Sequence, residues 1–397
     1  MISLASKWTR PWPTLILLSW LLAQTSFGND SELLAVRNAR PGDVVSVPRL
    51  WSQQRSMPLI PIEISAEKSV QFLLSDEPEY FRQDGISLRE KVKPGVVRLY
   101  VYHVPEPSGA SKIITAMIEN NSAKPMQMRF LRYAFPKPGR NYLHIGKRGL
   151  VEFFNSVREK TSRSIEPGEQ ATIDPQMDQA LVGKDELVHG FYEFEIDQPA
   201  TVYVLQREPS QSNSDAIRLL PLLKTVDQRA SGAGRGLFLT NNFSVKTVRP
   251  IETTNGAVKL IIADGKRDSW IHGTDSIDGQ TNQLNKGNYG TIYRIRLNWH
   301  SGDGRGLAMF VANQSSGGLC AGQALALKVS AGDFPGGVVQ LPRDQTGYSG
   351  GSNMVLVQRF PAPPKNEIGQ IEIVYSPPGA SCLPTPLIFV PYEAGAK

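Results

Sequence analysis

Thr291-Ile292-Tyr293-Arg294-Ile295-Arg296-Leu297-Asn298-Trp299 decides how the chain is read. Taken alternately, it sets Thr291, Tyr293, Ile295, Leu297 and Trp299 on one side and Ile292, Arg294, Arg296 and Asn298 on the other. A two-residue period of this kind marks a strand with one buried face. Gly287-Asn288-Tyr289-Gly290 leads into it and Ser301-Gly302-Asp303-Gly304-Arg305-Gly306 leads out, both rich in residues that tolerate positive φ and suit tight turns. Residues 307–311 are expected to return beside it as a hairpin partner.

Outward from this strand, short apolar runs recur at 258–262, 325–329, 354–360, 371–375 and 387–390, the spacing of a β-sandwich. The other half reads the same way. Arg40-Pro41-Gly42-Asp43 and Lys93-Pro94-Gly95 are turns, and 96–104 is a β-branched and aromatic run. Residues 111–206 have the strand and turn rhythm of an immunoglobulin-like sandwich. One helix interrupts it at 149–160, where Leu150, Val151, Phe153, Phe154 and Val157 fall at helical spacing. The polar stretch 209–215 and the glycine-rich stretch 231–236 place a boundary near 225. The expected fold is therefore mainly β: two antiparallel β-sandwich domains, 29–225 and 226–397, with one short amphipathic helix. Ser231-Gly-Ala-Gly-Arg-Gly-Leu237 also echoes Ser301-Gly-Asp-Gly-Arg-Gly-Leu307, a similarity that fades after the leucine.

Residues 1–28 read as a secretory signal: Lys7 and Arg10 precede an apolar run from Leu15 to Ala23, and Ser26-Phe27-Gly28 supplies small residues for cleavage. The run is shorter than the roughly 20 residues a spanning helix needs, so no transmembrane segment is expected once the signal is removed. Cleavage would lower the net charge of +6 by two, too mild an excess for a dedicated nucleic-acid binder. The exported chain is expected in the periplasm or outside the cell. Its two cysteines, Cys320 and Cys382, are expected to form a disulfide there.

The candidates for chemistry are few. Gly347-Tyr348-Ser349-Gly350-Gly351 holds a serine in a glycine turn, but no histidine arrangement supplies its base, so no catalytic residue is assigned. Asp264, Asp268, Asp275 and Asp278 cluster with Asn282 and offer oxygen ligands for calcium, although their spacing does not fit the twelve-residue calcium loop. No acid lies between Glu119 and Glu152, where Lys124, Arg129, Arg132, Lys137, Arg140, Lys147 and Arg148 alternate with aromatic residues. Such a field attracts anions, and it also guards a sheet edge against aggregation. Arg294 and Arg296, with Tyr289 nearby in sequence, make a candidate planar platform for sugar or carboxylate, or simply a wet sheet face with ion pairs.

Arg40-Pro41-Gly42 with Val45 and Pro48, Asn120-Asn121, and Gly287-Asn288-Tyr289-Gly290 followed by Tyr293 together resemble a group of exported cyanobacterial proteins of unassigned function. Tyr375-Ser376-Pro377-Pro378-Gly379 is similar to exported bacterial proteins described as copper-amine-oxidase-like for a separate stalk domain. The resemblance implies an extracytoplasmic β protein and carries no catalytic residue. Copper does not transfer with it, since no histidine cluster or tyrosine cofactor motif is present, and no cofactor is expected. The expected function is an exported, non-catalytic envelope protein binding a glycan or a protein partner through a β surface. The alternative is a secreted glycan hydrolase using the clustered aspartates.

Overall fold

Residues 30–68, 70–106, 111–225, 232–312, 322–344, 347–348 and 351–393 are described by the computed structural model of the chain. The expected signal segment 1–28, Cys320 and Ser349 lie outside these residues.

The alternating stretch forms the strand Ile292–His300. Tyr293, Ile295, Leu297 and Trp299 are buried while Arg294 and Arg296 are exposed, as the period requires. Its neighbours are not those expected. It runs parallel to Asn242–Thr247 and antiparallel to Gly369–Tyr375, and residues 307–311 lie in another sheet. There Gly306–Ala312 sits between Asn353–Phe360 and Thr385–Tyr392. Burial explains the correction: every residue of Gly306–Ala312 is buried, so the strand needs cover on both faces. Beside a strand with a wet face, half of it would meet water.

The fold is a β-sandwich built twice. In one sandwich a seven-stranded sheet runs in the order Ile62–Glu67, Asn242–Thr247, Ile292–His300, Gly369–Tyr375, Leu325–Val329, Gly337–Leu341, with Ile251–Glu252 added alongside Ile292–His300. It packs on a five-stranded sheet ordered Val44–Ser46, Asn353–Phe360, Gly306–Ala312, Thr385–Tyr392, Val258–Ile262. Ile295 and Leu297 from the first share a core with Leu307, Met309 and Leu387 from the second.

In the other sandwich a nine-stranded sheet is ordered Gln280–Leu284, His272–Asp275, Arg235–Phe238, Gln71–Ser75, Gly95–Pro105, Val188–Ile196, Met126–Ala134, Arg163–Ile165, with Tyr80–Phe81 beside Gly95–Pro105. Its partner layer is Gln170–Thr172, Ile113–Asn120, Ala200–Arg207, Gly85–Val92. Val97, Leu99 and Val101 meet Ile114, Ala116 and Val202 between these layers.

The sheets do not divide at residue 225. Val44–Ser46 and Ile62–Glu67 pair with strands of the C-terminal half, and Arg235–Phe238 pairs with Gln71–Ser75. Polar and glycine-rich stretches mark exposed turns, but which sheet a strand joins depends on the partner edge it covers. The strand Gly95–Pro105 shows the consequence, since it is buried on both faces. Its Val97, Leu99 and Val101 belong to one core, and Tyr100, Tyr102 and Val104 belong to the other, with Phe72, Leu74 and Phe191.

The expected helix is present but earlier, at Tyr142–Asn155. Asn141 caps it by accepting a hydrogen bond from His144 N at 3.1 Å, and Ser156 leaves in extended geometry, so Val157 stays exposed. Its apolar face lies on the nine-stranded sheet, with Phe153 stacked on Phe191 at 3.8 Å. Gly149 permits this approach, because a Cβ there would stand 2.4 Å from His189 Nε2. Among the described residues no helix is long and apolar enough to cross a membrane.

Candidate functional site

The second face of Gly95–Pro105 opens into a cavity of about 220 Å³. Strand alternation puts Tyr100 and Tyr102 on that face together. The strand Gln71–Ser75 ends beside them and delivers Asp76 and, further on, Glu79. The glycine-rich turn supplies the next wall: Ala233 N donates to Asp76 Oδ2 at 2.9 Å, and Asp76 N donates to Gly234 O at 3.2 Å. Lys286 N then donates to Ala233 O at 2.8 Å, tying the 285–289 turn to the same wall. Within that turn the Asn285 side chain bonds both Tyr289 N (3.0 Å) and Tyr289 O (2.8 Å), which fixes the third ring. Gly379 and Ala380 close the cavity. Gly379 is wedged between the helix and the rings: a Cβ on it would lie 2.6 Å from the Tyr102 ring, and one on Gly146 would lie 2.3 Å from Gly379 O.

Asp76 is the unusual group. It is 6% exposed, its Oδ1 has no hydrogen-bond partner among the described residues, and it lines the cavity. Burial, and then the nearby charge of Glu79, push its carboxyl well above the ordinary range despite the bond from Ala233. Burial also raises the half-buried Glu79. Tyr100, Tyr102 and Tyr289 are all pushed up by burial first, with Asp76 contributing in each case. Tyr100 and Tyr289 stand 6.5 Å apart between ring centroids, inclined at 37°. Behind Tyr100 lies His189, which donates its Nδ1–H to Val101 O (2.9 Å) and is brought down to about 4 by burial, so it is neutral at pH 7.

Of the candidate binding and metal residues named from the sequence, the structure brings only Tyr289 to this place, beside Gly232 and Ala233 of the glycine-rich stretch and Gly379 of the 375–379 motif. Arg294 and Arg296 stand on the exposed face of their strand, and Arg296 pairs with Glu372 at 3.0 Å, both side chains more than half exposed. The basic stretch is divided among separate partners. Arg129 pairs with Glu195, Arg132 lies over the Phe153 ring at 5.7 Å, Arg148 pairs with Glu152 at 3.1 Å, and Lys147 is buried with its ammonium on Pro342 O. The aspartates also separate. Asp268 accepts from Tyr293 Oη at 2.7 Å and from Asp264 N at 3.1 Å, whereas Asp275 and Asp278 pair with Arg235 at 2.7 and 3.1 Å. Their oxygens are occupied by protein donors, and among the described residues no group of three or more His, Cys, Asp or Glu could hold a metal.

Sequence reasoning did not single out Asp76, Glu79, Tyr100 or Tyr102. A usable signal was the Tyr100-x-Tyr102 alternation inside a run that is apolar on its other face. A larger cleft of about 680 Å³ runs between Pro58–Pro61 and Pro250. It is mostly apolar, its Glu252 is paired with His300 at 2.9 Å, and it offers an unpartnered Gln53 oxygen without converging charges.

No family model and no curated protein matches the chain. Among solved structures, the CUB1-EGF-CUB2 domain of human MASP-1/3 aligns over 77% of this chain and 99% of its own, at 6% identity and a TM-score of 0.19. An allantoicase aligns over 93% and 99% respectively, at 12% identity and a TM-score of 0.17. Similarity at this level carries no argument about fold or function.

Proposed function

We propose that the protein is an exported, non-catalytic envelope or extracellular protein that binds a glycan or a protein partner, and that the cavity at Asp76 and Tyr289 receives part of that ligand. The observation that carries this reading is the buried Asp76 carboxyl with a free oxygen facing a cavity walled by three tyrosines. Aromatic walls with a few convergent polar groups are the usual make-up of a ligand site. Hydrolysis of glycosides calls for two carboxyl groups whose pKa values are driven apart, one acid and one carboxylate. Asp76 and Glu79 are driven the same way, and the aspartates at 264–278 are taken up by internal bonds. The test is retention of partners from glycan arrays and envelope extract by the wild-type protein and by Tyr289→Ala. Retention by the wild type and loss in the variant is expected; silence in both, or equal retention by both, overturns the reading.

Export rests on the sequence at 1–28 and on the resemblance to exported cyanobacterial proteins. It is supported by the surroundings of Cys382, which is buried and donates its backbone N–H to Gly322 O at 3.0 Å, two residues beyond Cys320. A disulfide between the two cysteines would close a loop of about 60 residues and contribute about 2–4 kcal/mol. Mass spectrometry of the exported protein, alkylated without reduction, is expected to show no modified thiol.

A further inference from the structure

We infer that the cavity recognises an organic ammonium group: the Asp76 and Glu79 carboxyls supply the counter-charge and the rings of Tyr100, Tyr102 and Tyr289 supply the walls. This deepens the binding function proposed above and rests on it.

The charges around the cavity select the ligand. The segment 76–79 contributes Asp76, Glu77 and Glu79, all carboxyls. The strand Gly95–Pro105 contributes only tyrosines, and Val188–Ile196 places neutral His189 behind them. The walls at 232–233 and 379–380 carry no side-chain charge. The turn at 285–289 brings Lys286, which lines the cavity from its exposed rim and whose charge acts on Glu77. Among the described residues no ion pair joins Asp76 or Glu79 to a cation; burial and the Glu79 and Glu77 carboxylates raise Asp76 against the bond from Ala233 N, and burial raises Glu79. Three other buried acids have both oxygens bonded: Asp275 by Arg235 and Ile277 N, Asp268 by Tyr293 and Asp264 N, and Asp174 by Tyr192 and Gln176 N. At Asp76 one buried carboxyl oxygen, Oδ1, is left without a partner, which is costly, and a charge delivered by the ligand removes that cost.

Shape and aromatic content agree. The cavity is smaller than the roughly 300–1,000 Å³ of pockets that enclose a whole drug-sized ligand, so it suits a head group. Tyrosine faces attract a cation most strongly once it has left water, and three rings beside two carboxyls make that environment. A neutral sugar would gain hydrogen bonds here but would leave the carboxyls in the same unfavourable state.

The inference fixes a pH dependence. In the free protein the raised Asp76 carboxyl holds its proton at low pH, and a bound cation favours the ionised form, so binding releases a proton. Affinity for a permanently charged ligand therefore rises with pH, up to about tenfold per unit for one proton released, until the carboxyl is ionised in the free protein.

The experiment is calorimetric titration of the full chain with choline and with its neutral carbon isostere 3,3-dimethyl-1-butanol, from pH 5 to 8. Choline is expected to bind at least tenfold more tightly than the isostere, with the gap widening as pH rises. Asp76→Asn, its fold checked by thermal melting, is expected to lose that preference and the pH dependence; Glu79→Gln provides a second variant should the first fail to fold. Equal binding of choline and the isostere overturns the ammonium assignment while leaving the cavity a binding site. Full choline binding by both variants also overturns it. If neither probe binds but Tyr289→Ala still loses the envelope partner, the assignment fails and the proposed function stands. If neither probe binds and that partner is retained, both fail.

Discussion

The segments 232–237 and 302–307 share Gly-x-Gly-Arg-Gly-Leu, and each turns into a strand at or just after its arginine, Arg235–Phe238 in one case and Gly306–Ala312 in the other. Their surroundings differ. Arg235 is fully buried, bonded to Asp275, Asp278 and the Leu223 and Ser87 carbonyls. Arg305 lies near the surface, bonded to Asp303 two residues back and to Thr253 O. The middle glycines differ too: a Cβ on Gly234 of the first copy would stand 2.2 Å from Leu284 O. In the second, Gly304 faces open space. One short sequence thus takes two backbone geometries, with positive φ at Gly232, Gly234 and Gly236 in the first copy but at Gly304 alone in the second, and tertiary placement makes one copy a buried tie beside the candidate site and the other a surface turn held to Thr253.

The largest test of this contrast is removal of each arginine. Arg235→Ala strands two buried carboxylates and is expected to cost about 3–5 kcal/mol. Arg305→Ala removes a pair that water can replace and is expected to cost about 1 kcal/mol or less. Urea unfolding midpoints measure both, and equal losses would break the comparison.

The glycines give the next contrast. Gly234→Ala combines a left-handed φ of +131° with a clash against the Leu284 carbonyl, an expected loss of about 2–4 kcal/mol. Gly304→Ala meets only the cost of its φ of +78°, about 1–2 kcal/mol. The same unfolding measurement ranks them.

A smaller effect sharpens the account of the buried copy through pH. Glu90 accepts from Ser276 N at 2.7 Å beside the Arg235 cluster, and burial raises it to about 7 against the pull of that bond. An acid raised on folding contributes its stability below its unfolded value near 4.5 and loses it as pH climbs through 7. Stability should therefore fall across that window by at most about 1.4 kcal/mol per pH unit, one proton's share. Glu90→Gln, measured by denaturant titration at pH 5 and 8, is expected to flatten that slope.

How much of this was legible follows from what local sequence can encode. The alternation at 291–299 gave both the strand and its wet face, because a buried face repeats every second residue. Phe153 and Phe154 announced the helix, yet its start at Asn141 was hidden by Gly146 and Gly149, which read as breakers and serve as contact points with Gly379 and His189. His272–Asp275 and Gln280–Leu284 are too polar to read as strands; they pair because Arg235–Phe238 offers an edge. The cavity was least legible. Tyr289 was a candidate for its neighbours in sequence, Arg294 and Arg296, whereas its neighbours in space are Asp76 and Tyr100, which only sheet order brings together.

The smallest effect belongs to the surface copy. Burial would raise Asp303, but hydrogen bonds from Arg305 and Thr253 outweigh it and hold the carboxyl at about 2. An acid lowered on folding contributes stability above its unfolded value near 3.8 and loses it as pH falls towards 2. Because Asp303 is largely in contact with water, screening limits that contribution to about 1 kcal/mol or less. The slope is opposite in sign to that of Glu90 and lies in a separate, more acidic window. Asp303→Asn should therefore lower stability slightly at pH 6, and the difference from wild type should shrink at pH 3. The loss should also diminish in 1 M salt, where exposed charges are screened within about 3 Å. A loss at pH 6 as large as that of Arg235→Ala would show that the second turn, too, is a buried tie, and the distinction between the two copies would fall.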